Sequence, residues 1–379
     1  MESKSSIFIS AGDPSADFPG KNLIAEISAR CPDVDIFGLG GPLMQEAGMN
    51  PLADYRKLAV LGFWEVIPQY LFFRRLMKKC IEEIKQRRPR LIILLDYPGF
   101  NLRLARRVKA LGIPIVYYIS PQVWAWGKKR VEQISELIDL ILVIFPFEEE
   151  FYRLKGIEAR FVGHPLVDRY GEIPGRDICR KHLEIPENRR LIALLPGSRT
   201  QEVKRMLPAM LEAVDGLRRR LDNYDFIIGS VDNVDTRLYK NIVGERQIEI
   251  ISGVTPQLMR AADLVITSSG TATIETAFFE TPMVIIYKTG WLTYQIARRL
   301  IELDMIGMVN IVAGKKIVPE LIQADASPEK LSETVASILL DENKYQIIKA
   351  ELKTVCEKLG RGETGQRTLD AIMERVPLC

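Results

Sequence analysis

The sequence predicts an α/β chain made of two doubly wound domains, each built on a parallel sheet. Three observations predict it. Short β-rich runs alternate with helix-patterned segments from end to end. Runs such as LIILL (91–95) are apolar at every position, as strands buried on both faces of a helix-covered parallel sheet must be. A polar stretch bearing glycine and proline, DRYGEIPGRDICRKHLEIPENRR, interrupts the alternation near the middle.

Strands are expected at 6–10, 36–39, 91–95, 115–119, 141–145 and 160–162 in the first half, and at 191–195, 225–229, 248–251, 263–267 and 282–286 in the second. Helices lie between them, for example at 202–219. From Pro328 onward only helical patterns remain, and a terminal helix can pack back onto the first domain. The expected division is a first domain at 1–168, a linker at 169–190, a second domain at 191–345 and C-terminal helices at 346–379.

The bulk numbers narrow the classes. A chain of 379 residues exceeds one ordinary core and suits two. A hydrophobic content of 47% with 27% charged residues is soluble-globular composition. The formal charge of +3 argues for no nucleic-acid partner. Five separated cysteines without a CxxC, and two histidines, give no metal or redox motif and fit a reducing compartment. The N-terminus reads as a strand rather than a signal peptide, and no run reaches the roughly twenty apolar residues of a membrane span. A cytoplasmic protein is expected, with attachment to a membrane surface left open.

Ligands of open parallel sheets bind beyond the carboxyl ends of the strands, so the loops there carry the functional reading. Two domains facing each other would put such loops on both walls of a central cleft. In ITSSGTATIETA (266–277) a strand runs into Ser268, Ser269, Gly270 and Thr271 and then a helix, whose start offers amide donors to an anion. Glu275, one turn further, can accept bonds from a ribose diol. The combination suits a nucleotide diphosphate, although serine and threonine are also ordinary helix caps. In LLPGSRTQEVKR (194–205) Ser198 and Arg199 follow a strand, and the arginine can clamp a departing diphosphate.

The first half offers SAGDPSADFPG (10–20), with Gly12, Ser15 and Asp17 after a strand but no GxGxxG, and the tight turn GLGGPLM (38–44). LLDYPGFN (94–101) sets Asp96 at a strand end, where a carboxylate can cap the turn or serve as a general base. Trp124 and Trp126 in SPQVWAWGKKR can wall a cleft or anchor a core. His164 in VGHPLVD reads as structural. Asp33-Val34-Asp35 spells DxD but precedes its strand, at the wrong sheet edge for a ligand.

The segment LGFWEVIPQYLFFRRLMKKC (61–80) sets Trp64, Ile67, Leu71 and Phe72 beside Arg74, Arg75, Lys78 and Lys79. Such a mixture suits an interfacial helix, or equally an amphipathic helix with a solvated basic face. Met206 and Leu207 could widen an apolar patch.

These motifs, in this order, resemble those of the lipid-A-disaccharide synthase family of GT-B glycosyltransferases. The resemblance covers nearly the whole chain: SAGDPSAD, GLGGPLM, LAVLGFWEV, LLDYPGFN, YYISPQVWAWGKKR, FPFEEEFY, FVGHPLVD, LLPGSRTQEV, SSGTATIE and NIVAGKKIVPELIQ. It implies transfer of a diacylglucosamine unit from UDP-2,3-diacylglucosamine to 2,3-diacylglucosamine 1-phosphate. The product is a β-1,6-linked disaccharide 1-phosphate, with UDP released. It also implies inversion without a cofactor or required metal, at the cytoplasmic face of the inner membrane, and is compatible with a homodimer through the C-terminal region.

Carried over by motif, Asp96 is the candidate base and Arg199 a candidate UDP-phosphate ligand, Ser269, Gly270, Thr271 and Glu275 belong to the UDP site, and Asn310 matches a further cleft position; Gly12, Ser15, Asp17 and Ser198 are expected substrate contacts beside them. The basic-aromatic segment becomes membrane-facing, and the first domain the acceptor side. The chain departs from the family's AGExSGD in its first loop, with Asp13 for glutamate and Ala16 for glycine. The alternatives are another UDP-sugar enzyme of the same architecture, either a soluble-acceptor transferase or an epimerase, and a non-catalytic nucleotide-sugar binding protein.

Overall fold

The computed structural model describes residues 5–53, 66–126, 128–290 and 305–378. It divides into two compact units, Met1–Arg169 together with Leu359–Cys379, and Tyr170–Lys358.

The first unit holds seven parallel strands: β1 (Ser6–Ala11), β2 (Asp35–Leu39), β3 (Asn50–Pro51), β4 (Leu91–Leu95), β5 (Ile115–Tyr118), β6 (Leu140–Val143) and β7 (Ala159–Phe161), ordered β3-β2-β1-β4-β5-β6-β7. Side chains alternate across the sheet with the period of two that a strand imposes. Ile7 and Ile9 join Leu23, Ile24 and Ile27 of helix Asp17–Arg30 on one face. Phe8 joins Cys80, Ile84, Leu104 and Val108 on the other.

The second unit holds β8 (Arg190–Leu195), β9 (Tyr224–Ser230), β10 (Glu249–Ser252), β11 (Leu264–Ser268), β12 (Met283–Tyr287) and β13 (Glu320–Ile322), ordered β10-β9-β8-β11-β12-β13. All pairings are again parallel.

Helix Thr364–Arg375 completes the first unit. Its Leu369 and Ile372 are fully buried in the cluster formed with helix Asp17–Arg30. Each such side chain contributes about 1.5–3 kcal/mol. The Asp168 carboxylate accepts the Glu363 and Thr364 amides at 2.7 and 3.0 Å, satisfying donors at the start of this helix.

The stretch 169–190 carries more structure than its polarity implies. Helix Arg176–His182 lies there, with Cys179 fully buried and Arg180 donating to the Ala261 carbonyl at 3.2 Å. The cysteine expectation also needs amendment: Cys31 is disulfide-bonded, whereas Cys80, Cys179 and Cys356 are free. Separation along the chain carries no information about neighbours in space.

Candidate active site

Each sheet has one place where consecutive connections depart to opposite sides. In the first it lies between β1 and β4, and in the second between β8 and β11. The crevice beyond the carboxyl ends of such a pair is where this kind of sheet binds ligands. Four of the loops singled out from sequence leave these four strands.

In the second unit Leu195 pairs with Thr267, so the PGSR and SSGT loops emerge side by side. Gly197 has φ 120°, open to glycine, and a β-carbon there would fall 2.5 Å from Glu202 Oε2. Glu202 closes the turn by accepting the Ser198 and Arg199 amides at 2.9 and 3.2 Å. Asn233 adds a bond to the Ser198 carbonyl at 2.8 Å. The Arg199 backbone is thereby fixed while its side chain stays 82% exposed, paired only loosely with Glu202 at 3.6 Å.

Beside it Gly270 has φ 149°, and a β-carbon there would meet no described atom within 4 Å. Helix Thr271–Phe278 starts at this open point, with Thr271 exposed and Glu275 half-buried one turn in. Open amides at a helix start, beside a loop that bears an exposed guanidinium, are suited to an anion. The Ser269 hydroxyl donates to the Ile306 carbonyl at 2.9 Å, which ties the loop to the segment before helix Met308–Ala313.

In the first unit Ala11 pairs with Leu95, and the two following loops touch: a β-carbon on Gly12 would lie 2.4 Å from Tyr97 Cδ1. Asp13 accepts the Ser15 amide and hydroxyl at 3.0 and 2.8 Å. Asp96 and Tyr97 both take left-handed backbone, φ 43° and 48°, between β4 and helix Pro98–Val108. Burial first, then the like charge of Asp13, push the Asp96 carboxyl up to about 6, against a backbone bond from Tyr97 that lowers it. A half-buried carboxylate of that affinity at a sheet crevice is suited to proton abstraction near neutral pH.

Several expectations need correction. Asp17 is buried, and its oxygens accept the Leu43 and Met44 amides, both at 3.1 Å, so it caps helix Pro42–Glu46 rather than standing open to a ligand. Asn310 is fully buried and saturated. It donates to Val318 O and Glu320 Oε1 at 3.0 and 2.8 Å and accepts the Ile317 and Val318 amides at 2.9 and 3.1 Å. That uses its two donors and two acceptor sites.

Phe72 is half-buried against the first unit's core beside Phe73, not turned to the surface. Arg74, Arg75, Lys78 and Lys79 are exposed on the same helix, Val66–Arg87, with Lys79 also donating to Leu52 O at 2.6 Å. Trp64, and the side chains of Ile67 and Leu71, lie outside the described residues. Met206 and Leu207 are fully buried and widen no patch.

The remaining sequence readings fall into place. His164 is buried, held down to about 3 by desolvation, and accepts the Leu166 amide at 3.2 Å. Asp35 of the DxD is occupied by Asn50 at 2.7 Å and Arg87 at 3.1 Å. Ala16 sits at φ −83°, a right-handed conformation that alanine adopts freely.

Sequence reasoning missed the supports. Glu202 had a signal in SRTQE, a polar cap followed by an acid at the third helical position. Asn101 stood within LLDYPGFN but had no visible partner. Glu148 is buried and accepts from Trp124 Nε1 at 3.1 Å, Ser120 Oγ at 3.3 Å and the Phe145 amide at 3.2 Å.

Two parallel-sheet units with loops of this chemistry at their switch points define the GT-B architecture of glycosyltransferases and related sugar-nucleotide enzymes. Solved structures agree on the fold. A putative UDP-N-acetylglucosamine 2-epimerase from Listeria monocytogenes superposes with a TM-score of 0.69 at 14% identity, covering 98% of this chain and 96% of that one. The glycotransferase of kitacinnamycin does so with 0.66 at 16% identity and full coverage, 100% of each chain.

Sequence comparison is more specific. The pattern of the lipid-A-disaccharide synthetase family matches residues 7–372. Lipid-A-disaccharide synthase of Anaeromyxobacter sp. (strain K) is 38% identical over 97% of this chain and 96% of its own length. That of Syntrophus aciditrophicus is 40% identical over 95% of each. The chain belongs to the lipid-A-disaccharide synthase family.

Proposed function

We propose that this protein joins UDP-2,3-diacylglucosamine to 2,3-diacylglucosamine 1-phosphate, giving the β-1,6 disaccharide 1-phosphate and UDP. Family membership over residues 7–372 supports the reaction. The observation that carries the mechanism is Asp96: a carboxyl pushed up to about 6, at the switch point of the first sheet.

Asp96 takes the proton from the acceptor 6-hydroxyl as that oxygen bonds to the donor C1. The C1–O bond to UDP breaks from the opposite face, its electron pair leaves with UDP, and the anomeric centre inverts through an oxocarbenium-like transition state. Arg199 and the amides at Gly270 and Thr271 hold the charge that grows on the diphosphate. Ser198 and Ser269 flank that site, Glu275 receives the ribose hydroxyls, and Gly12 and Ser15 border the acceptor. Purified protein given both lipids should form disaccharide and UDP, read by thin-layer chromatography. Absence of product would refute the reading. An epimerase is disfavoured because the 38–40% identical relatives are synthases.

The exposed cluster Arg74, Arg75 and Lys78 supports peripheral attachment to an anionic membrane surface, at about 1 kcal/mol per basic residue. No helix among the described residues is long and apolar enough to cross a membrane. The inner membrane's cytoplasmic face is the proposed location. Co-sedimentation with anionic vesicles, lost when these three residues become glutamate, tests the attachment. A homodimer through the C-terminal region belongs to the same proposal, and analytical ultracentrifugation decides it.

A further inference from the structure

Asp96 sits in a turn the backbone resists. Both Asp96 and Tyr97 have positive φ, 43° and 48°. Aspartate tolerates that region better than most residues, whereas for a bulky tyrosine it is a true outlier. Pro98 follows directly and begins the next helix, and a residue before proline is driven toward extended backbone, away from the conformation Tyr97 holds. Residues in such states cost on the order of 1–3 kcal/mol each and persist only where their surroundings over-determine them.

The surroundings here are specific. The Asp96 carbonyl accepts two side-chain donors, Tyr117 Oη at 2.6 Å and Asn101 Nδ2 at 2.8 Å. Tyr117 is on β5, the neighbour of β4, and is buried. Its phenol is raised well above the usual value by burial and by the nearby Asp96 charge, so it remains a donor. Asn101 is fully buried on helix Pro98–Val108. Its amide also reaches the carbonyls of Leu95 at 3.1 Å and Ser10 at 3.3 Å, and its oxygen accepts Ser10 Oγ at 2.7 Å. Asn101 thus laces the ends of β1 and β4 to the turn. The Asp96 amide donates to Tyr118 O at 3.1 Å, so the residue is held at both ends of its own backbone.

We infer that Tyr117 and Asn101 are positioning residues for Asp96: by gripping its carbonyl they hold a strained strand-to-helix turn that fixes the direction of its carboxylate at the carboxyl end of β4. Strained turns of this kind present reactive side chains above parallel sheets elsewhere. A helix entered without the kink would carry the Asp96 side chain off in a different direction, because Cβ follows φ. The inference rests on Asp96 acting as the base.

The test compares Tyr117→Phe with Asp96→Asn, using disaccharide formation across a pH series, UDP binding and thermal melting. Tyr117→Phe keeps the buried ring and removes one of the two grips. The expected result is a kcat about ten- to a hundredfold lower, since small misplacements of a reacting group cost that much. KM for both lipids and UDP affinity should stay unchanged. The acid limb of the pH profile should move down from about 6 as the loosened carboxylate gains water.

A wild-type kcat and an unmoved limb in Tyr117→Phe, with Asp96→Asn inactive, would overturn the positioning role and leave the base in place. An active Asp96→Asn would overturn both. A fall in melting temperature with the acid limb unmoved would assign Tyr117 to the core alone and also overturn the inference.

Discussion

Gly12 and Tyr97 are in contact across the first sheet's switch point, so close that a β-carbon on Gly12 would lie 2.4 Å from the tyrosine ring. The contact couples the loop after β1 to the turn bearing Asp96. Gly12→Ala should force the ring aside. The expected cost is about 1–3 kcal/mol of stability, typical of overpacking, with at least a tenfold loss of turnover. Kinetics and denaturant melts check both figures.

Asp13 acts on the same turn through charge. Its carboxylate is one cause of the raised Asp96 affinity, second to burial. Removing a like charge makes ionisation easier, so Asp13→Asn should shift the acid limb of kcat/KM below about 6, while desolvation keeps it above an ordinary carboxylate. An unshifted limb would mean that burial alone sets the value.

Glu148 links pH to stability. Burial pushes it up to about 7, above the value of 4.5 for an exposed glutamate. With the folded value above the unfolded one, its contribution is fully present below about 4.5 and lost as pH rises through 7. Glu148→Gln cannot titrate. Wild type should therefore lose stability relative to this variant between pH 5 and pH 8, which unfolding free energies at the two pH values reveal. His164, held down to about 3, acts with the opposite sign and cancels in the comparison.

Asn310 and Arg199 should separate cleanly. Asn310→Ala leaves the buried Ile317 amide and the Val318 amide and carbonyl without this partner and should cost about 2–3 kcal/mol, with little change in UDP affinity of the folded protein. Arg199→Ala removes an 82% exposed side chain with a weak ion pair. Its stability should stay within about 0.5 kcal/mol, while turnover falls roughly a hundredfold or more. Melting curves beside UDP titrations distinguish the two patterns.

Much of this was legible in the residues. LIILL is apolar throughout and DLVIT carries the apolar run Leu264-Val265-Ile266, and β4 and β11 lie where those runs fall. Two edge strands were not legible. β3 and β13 are two and three residues long, and NP and ELI are too short for a periodicity. Ile119 leaves β5 with φ 61°, ending that strand before its apolar run ends.

Loops could be chosen by position after a strand, which singled out Arg199, Gly270 and Asp96, all in loops that leave the switch-point strands. A polar side chain in such a loop can be turned either way, and only its hydrogen bonds decide. Asp17 and Asn310 bond inward to amides; the Arg199 guanidinium does not. Asn101 and Tyr117 depend on a contact between separate strands and a helix, which no local pattern encodes.

Whether Asp96 removes the acceptor proton is decided by a single-turnover comparison of wild type with Asp96→Asn. Disaccharide formation by the variant should be slower by about a hundredfold to ten-thousandfold, with UDP bound as tightly as by wild type. Disaccharide formed by Asp96→Asn at close to the wild-type rate would contradict that role.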